Sequence, residues 1–145
     1  MATTIADILT LITTKVSDLE ISGSPAFGIV LNYADGEFTD YPAAVITEAG
    51  GKGQVLDTHR NQRTFQFTIK LYQEQSRAGK TKAEAAGIMR ACSDAILTAF
   101  DQDKDLGGQV DIVRVVDFDT NFRVAAGTFN FATFRVEAVV IVPNY

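Results

Sequence analysis

Histidine, cysteine and tryptophan are nearly missing from this chain: His59, Cys92 and no Trp among 145 residues. A lone cysteine cannot close an intrachain disulfide, and one histidine without a cysteine cluster supplies no ligand set for a structural zinc. The place of Cys92 in a helical apolar pattern predicts a small buried hydrophobe, and a reducing cytoplasm fits. Basic surplus is also lacking. Thirteen Lys and Arg against eighteen Asp and Glu leave a net charge of −5, the wrong sign for a protein that grips nucleic-acid phosphates. No apolar run approaches the roughly eighteen residues that span a bilayer, and the N-terminus lacks a basic region followed by an apolar core. The expectation is a soluble protein, not exported by a signal peptide and with no membrane partner.

What is present is ordinary for a folded domain: 46% hydrophobic and 21% charged residues exclude wholesale disorder. A single domain of this length buries about 70% of the surface its unfolded chain exposes. The clearest pattern runs from Arg60 to Tyr72. Phe65, Phe67, Ile69 and Leu71 alternate with Thr64, Gln66, Thr68, Lys70 and Tyr72, which predicts a half-buried strand. Its aromatic and β-branched face needs a cover, and its polar face meets water or another subunit.

Before it, Thr3 or Thr4 caps a helix of about fifteen residues with Ile5, Ile8, Leu9, Ile12, Val16 and Leu19 on one face. Ser22-Gly23-Ser24-Pro25 stops that helix. Phe27 to Tyr33 and Pro42 to Thr47 read as strands, with Asp35-Gly36 between them favouring a tight hairpin turn. Gly50-Gly51-Lys52-Gly53 reads as a flexible break, and residues 54 to 59 either extend the central strand or form a separate arm. Further on, Thr81-x-x-Glu84 is a capping box opening a helix to about Phe100. Its small residues at 83, 85, 86, 87 and 91 allow another surface to approach closely. Asp101 to Gln109 is an acidic connection, Val110 to Phe118 a strand, Asp119-Thr120-Asn121 a turn, and Thr128 to Val142 a closing strand, central in the sheet because its end is apolar on both faces. The order α-β-β-β-α-β-β predicts an α+β fold: one domain, a mainly antiparallel sheet and two helices packed on one face.

Three motifs imitate chemistry. Gly79-Lys80-Thr81 opens a helix as a phosphate-binding loop does, yet Glu74 stands where that loop needs another glycine, and Arg114 interrupts the only candidate magnesium strand before Asp117. Asp101-x-Asp103-x-Asp105 resembles the start of a calcium loop, but Leu106 replaces the glycine at position six and Ile112 the glutamate at position twelve. A solvated loop partly offset by Lys104 is the plain reading, with a weak surface cation site as the alternative. His59 and Asp57 would share a strand face, but no Gly-x-Ser-x-Gly elbow supplies a nucleophile. No catalytic residue, cofactor or metal is expected. Arg60 and Arg63 either pair with carboxylates of a neighbouring copy or remain solvated at a strand end.

Three segments resemble one family. Tyr41-Pro42-Ala43-Ala44-Val45, then Asn61-x-Arg63-x-Phe65-x-Phe67-x-Ile69-x-Leu71-Tyr72, then Ala91-x-x-Asp94-Ala95-Ile96-Leu97-x-Ala99-Phe100 followed by Leu106-Gly107-Gly108-x-Val110, together resemble the tail terminator or tail-completion proteins of long-tailed bacteriophages. The order of elements is similar over most of residues 5 to 142, although the stretch from Asp117 to Gly127 is longer than the family pattern. The resemblance implies a structural virion protein, made in the host bacterial cytoplasm, that forms a ring, commonly a hexamer, on the head-proximal end of the tail. Its implied partners are copies of itself, the tail tube protein and the head-tail connector or neck protein, with DNA passing through the lumen unbound. Neck, head-closure and tail-tube proteins share similar motifs, and a non-viral ligand-binding α+β domain is the other alternative. Two site expectations follow. Arg60, Arg63, Thr64, Gln66, Thr68 and Lys70 form a subunit interface, and some of Asp35, Glu37, Asp101, Asp103 and Asp105 line an acidic lumen that repels phosphate.

Overall fold

Thr4 begins the first helix, its Oγ1 accepting from the Asp7 N–H at 3.2 Å, and α1 then runs over Ile5–Ser17. Capping satisfies one of the four N–H groups that the first turn leaves without an internal partner. The computed structural model describes residues 2–33, 38, 40–74, 82–125 and 129–143. After α1, β1 (Glu20–Ile21) and β2 (Ser24–Pro25) form a two-strand ribbon across Ser22 and Gly23, both at positive φ. The main sheet holds β3 (Ile29–Leu31), β4 (Ala43–Val55), β5 (Arg60–Glu74), β6 (Ile112–Ala125) and β7 (Phe129–Pro143), in the order β3-β4-β5-β7-β6. Between β5 and β6 lies α2 (Lys82–Gln102), and the expected cap at Thr81 lies outside the described residues.

Both helices pack on one face of this mostly antiparallel sheet, α1 against β3 and β4, α2 against β5, β6 and β7. Period-two alternation decides what lies beneath them. Ala44 and Ile46 of β4, Phe67, Ile69 and Leu71 of β5, and Ala132, Phe134, Val136 and Ala138 of β7 point under the helices. There they meet Ile8, Ile12 and Val16 of α1 and Met89, Cys92, Ile96 and Phe100 of α2 in one buried cluster. β7 lies inside the sheet between β5 and β6, although the expected central place falls to β5 and the apolar end of β7 beyond Val139 pairs with β5 alone.

Three local expectations are corrected. β3 and β4 do not form a hairpin: they run parallel, Ile29 beside Ala43 and Leu31 beside Val45. The Asp35-Gly36 turn preference is a local effect. Burial of Ala26 and Phe27, which precede β3 in the core, sets the direction of the strand, and the Gly28 N–H donates to the Pro42 carbonyl at 2.8 Å. The Gly50–Gly53 run is not a break either. It belongs to β4, where the register shifts between Glu48 and Gly50, leaving Ala49 as the extra residue beside Gly50 at φ 98°. At Gly51 the Thr64 carbonyl oxygen comes within 2.5 Å of where a Cβ would stand, so only glycine fits this approach. Finally, residues 119–121 are not a terminating turn, because β6 continues to Ala125 with a second register shift between Asp119 and Arg123.

Candidate assembly surfaces

Among the described residues, no second layer covers the sheet face opposite the helices. From β5 it carries Gln62, Thr64, Gln66, Thr68, Lys70 and Tyr72, which the ladder places beside Ile141, Val139, Glu137, Arg135, Thr133 and Phe131 of β7. Arg114 of β6 extends the same surface and ion-pairs with Glu137 at 3.0 Å. At one end an aromatic group closes over it. Phe38 lies 4.9 Å from Tyr72 and 6.0 Å from Tyr41 between ring centroids, and Tyr72 stacks on Phe131 at 6.2 Å. Ala43 and Val45, on this face, are buried although they lie outside the main core cluster. The remainder is half-buried or exposed, mostly polar, with half-buried Val139 and Ile141 and exposed Ile112 as apolar members.

Of the expected interface residues, Thr64, Gln66, Thr68 and Lys70 therefore share one face. Arg63 does not. Its partners in register are Gly53 and Val140, so alternation turns it to the helix side with Phe65. Arg60 is engaged within its own subunit: Nε and Nη2 each lie 2.9 Å from Asp57 Oδ2. The His59 N–H donates to Asp57 Oδ1 at 2.8 Å, and together with Arg60 it holds this carboxyl below the usual carboxylate range. His59 thus sits in a carboxylate-pinned turn between β4 and β5, closed by Leu56 and Asp57 N–H groups donating to the Arg60 carbonyl.

That turn is the tip of an arm. Every residue from Glu48 to Arg60 is exposed, because β4 and β5 continue past the end of α1 and lose its cover. The arm is sheet, not a separate flexible piece. Val55 at 70% exposure and Leu56 at 39% stand at its outer end. At its base, on the helix side, Ile5, Gly51, Gly53, Phe65 and Phe67 line a mainly apolar groove of about 430 Å³, with Lys52 and Arg63 beside it. Sequence patterning did not reveal this groove. The signal was the glycine run, which removes the side chains that would fill it.

The acidic expectation divides. Asp35 and Glu37 lie outside the described residues, as do Gly79, Lys80 and Thr81. Asp103 is bound inward, with Lys15 Nζ 2.9 Å from Oδ2 and the Gly107 N–H donating to Oδ1 at 3.0 Å. Those contacts lower its pKa, the Lys15 hydrogen bond most. Asp101 and Asp105 are exposed. Leu106, Gly107 and Gly108 all have positive φ, and Leu106 is buried, which explains a leucine where a calcium loop needs glycine. This acidic loop and the arm leave the sheet at the same end, since Ile112 and Thr64 both pair with Val139.

Among the described residues, no group of three or more His, Cys, Asp or Glu is placed to hold a metal ion, and no helix is long and apolar enough to cross a membrane. Cys92 is buried, its Sγ 3.6 Å from the Ala26 carbonyl, and burial pushes its thiol up to about 11. Comparison with family models and with curated proteins finds no match for this chain.

Proposed function

We propose that this chain is a ring-forming structural subunit of the tail-terminator type, capping the head-proximal end of a phage tail and offering a docking surface to the head connector. The type of particle rests on the resemblance of the Tyr41–Val45, Asn61–Tyr72 and Ala91–Val110 segments. One structural observation supports self-association: among the described residues the sheet is covered on one face only, and its outer strands are left open. β4 pairs with β3 only through Val45, and among the described residues β6 has no partner beyond β7. Such edges are aggregation hazards unless something covers them, and an identical neighbour covers them by symmetry. In this reading exposed Asp101 and Asp105 face the channel, while Asp103 holds their loop in place.

Native mass and negative-stain imaging of the purified protein across a concentration series test this reading. Annular particles several times 15.7 kDa are expected, and a species that remains at one subunit throughout overturns it. Adding the protein to polymerising tail-tube subunits separates a terminator, which halts elongation, from a neck or tube protein, which does not.

A further inference from the structure

We infer that the free edge of β4, from Gly51 to Val55, pairs antiparallel with the same edge of a second copy of this chain, across a two-fold axis at Gly53. The contact goes beyond the ring proposed above, because it joins two copies whether or not each also belongs to a ring.

Backbone direction identifies the edge. The Leu56 N–H donates to the Arg60 carbonyl at 3.1 Å, so alternation turns the N–H and C=O groups of Gln54 and Lys52 toward β5 and those of Gly51, Gly53 and Val55 away from it. β3 stops beside Val45, and among the described residues no strand pairs with this outer side. All five residues are exposed. The opposite edge of the sheet is guarded. There the Val113 N–H donates to the Lys104 carbonyl at 2.6 Å, and where β7 runs past β6 the Ile141 N–H donates to Asp111 Oδ2 at 2.6 Å. A register shift between Val115 and Asp117 also breaks the line of β6. A row of outward N–H and C=O groups is completed by another strand, and the unguarded strand this chain offers is β4 itself.

Self-pairing leaves little choice of register. Outward residues must face outward residues, and the regular part of β4 begins after the shift between Glu48 and Gly50. An axis at Lys52 would set two lysines directly opposite each other, which is unfavourable. An axis at Gly53 places Gly51 beside the partner's Val55 and Lys52 beside the partner's Gln54, so no like charges oppose, and about six backbone hydrogen bonds form. A Cβ at Gly53 would meet nothing in its own subunit. The bodies also stay apart: the partner's Val45, where β3 pairs, falls about 16 Å past Leu56 at strand rise, beyond the turn that ends the arm.

Cysteine pairs test the axis. In Gly53→Cys the two Cα atoms stand about 5.5 Å apart across the axis, within disulfide reach, whereas in Val55→Cys they stand about 13 Å apart. Both positions are exposed, and native Cys92 is buried with its thiol pushed up to about 11, so it stays out of the reaction. Under mild oxidation Gly53→Cys is expected to form a cross-linked pair that reducing agent reverses, and Val55→Cys is expected to form none. If Gly53→Cys stays single, or if Val55→Cys cross-links as readily, this contact is wrong. Annuli formed by Gly53→Cys without the cross-link would remove the contact and leave the ring reading standing. Cross-linked pairs with no annuli at any concentration would keep the contact and remove the ring.

Discussion

Lys15, in the last turn of α1, and Asp103, just past the end of α2, are joined by a 2.9 Å salt bridge across 88 residues of sequence. Lys15 is 18% exposed and lies over the Phe100 ring at 5.9 Å, whereas Asp103 is 36% exposed. The bridge therefore ties the C-terminal end of one helix to the loop that follows the other.

Exposure of Asp103 limits the strength of this tie, so Asp103→Asn should cost below about 1 kcal/mol in urea unfolding. The pH dependence is more diagnostic. The carboxyl has a lowered folded-state pKa, so its contribution is complete above the ordinary value of 3.8 and is lost as pH falls through the lowered one. The variant should differ from the parent at neutral pH and converge with it in acid. A difference that persists unchanged below both values would refute the assignment.

Two neighbouring glycines should respond in opposite ways. Gly51→Ala drives a Cβ to 2.5 Å from the Thr64 carbonyl oxygen and should destabilise by about 1–3 kcal/mol. Gly53→Ala meets nothing and has no positive φ, so it should be neutral or stabilising by up to about 1 kcal/mol. Thermal unfolding of the pair measures the contrast, and equal effects would remove the close approach at the bulge.

Buried Cys92, with its thiol pushed up to about 11, should be nearly inert toward a disulfide reagent at pH 8 in the native protein. Denaturant should expose it fully, and the labelling rate should follow global unfolding. Rapid native labelling would contradict the packing of α2 on the sheet.

The two faces of β5 predict different costs for truncation. Phe67→Ala removes a fully buried ring beneath the helices and should cost about 3–5 kcal/mol. Lys70→Ala on the open face should change subunit stability by less than about 0.5 kcal/mol. Denaturant midpoints of the two variants check which face is covered.

Much of the framework could be read from local pattern because each part involves one element at a time. Thr4 capping, burial of Cys92 and the alternation of β5 all follow from spacing along a single helix or strand. The candidate surfaces were legible only in part. Alternation placed Thr64, Gln66, Thr68 and Lys70 together, and by the same parity it turned Arg63 away from them.

What the amino-acid order determined by itself was therefore period: which residues of a strand or helix share a side. What only the tertiary structure decided was partnership. The parallel pairing of β3 with β4, the passage of the glycine run through a bulge into an arm, and the capture of Asp57 by Arg60 and Asp103 by Lys15 each depend on groups whose meeting is set by packing of the whole chain. Local preference at Asp35-Gly36 or Gly50-Gly51 is worth a small fraction of the burial that competes with it, so the core prevails wherever the two disagree.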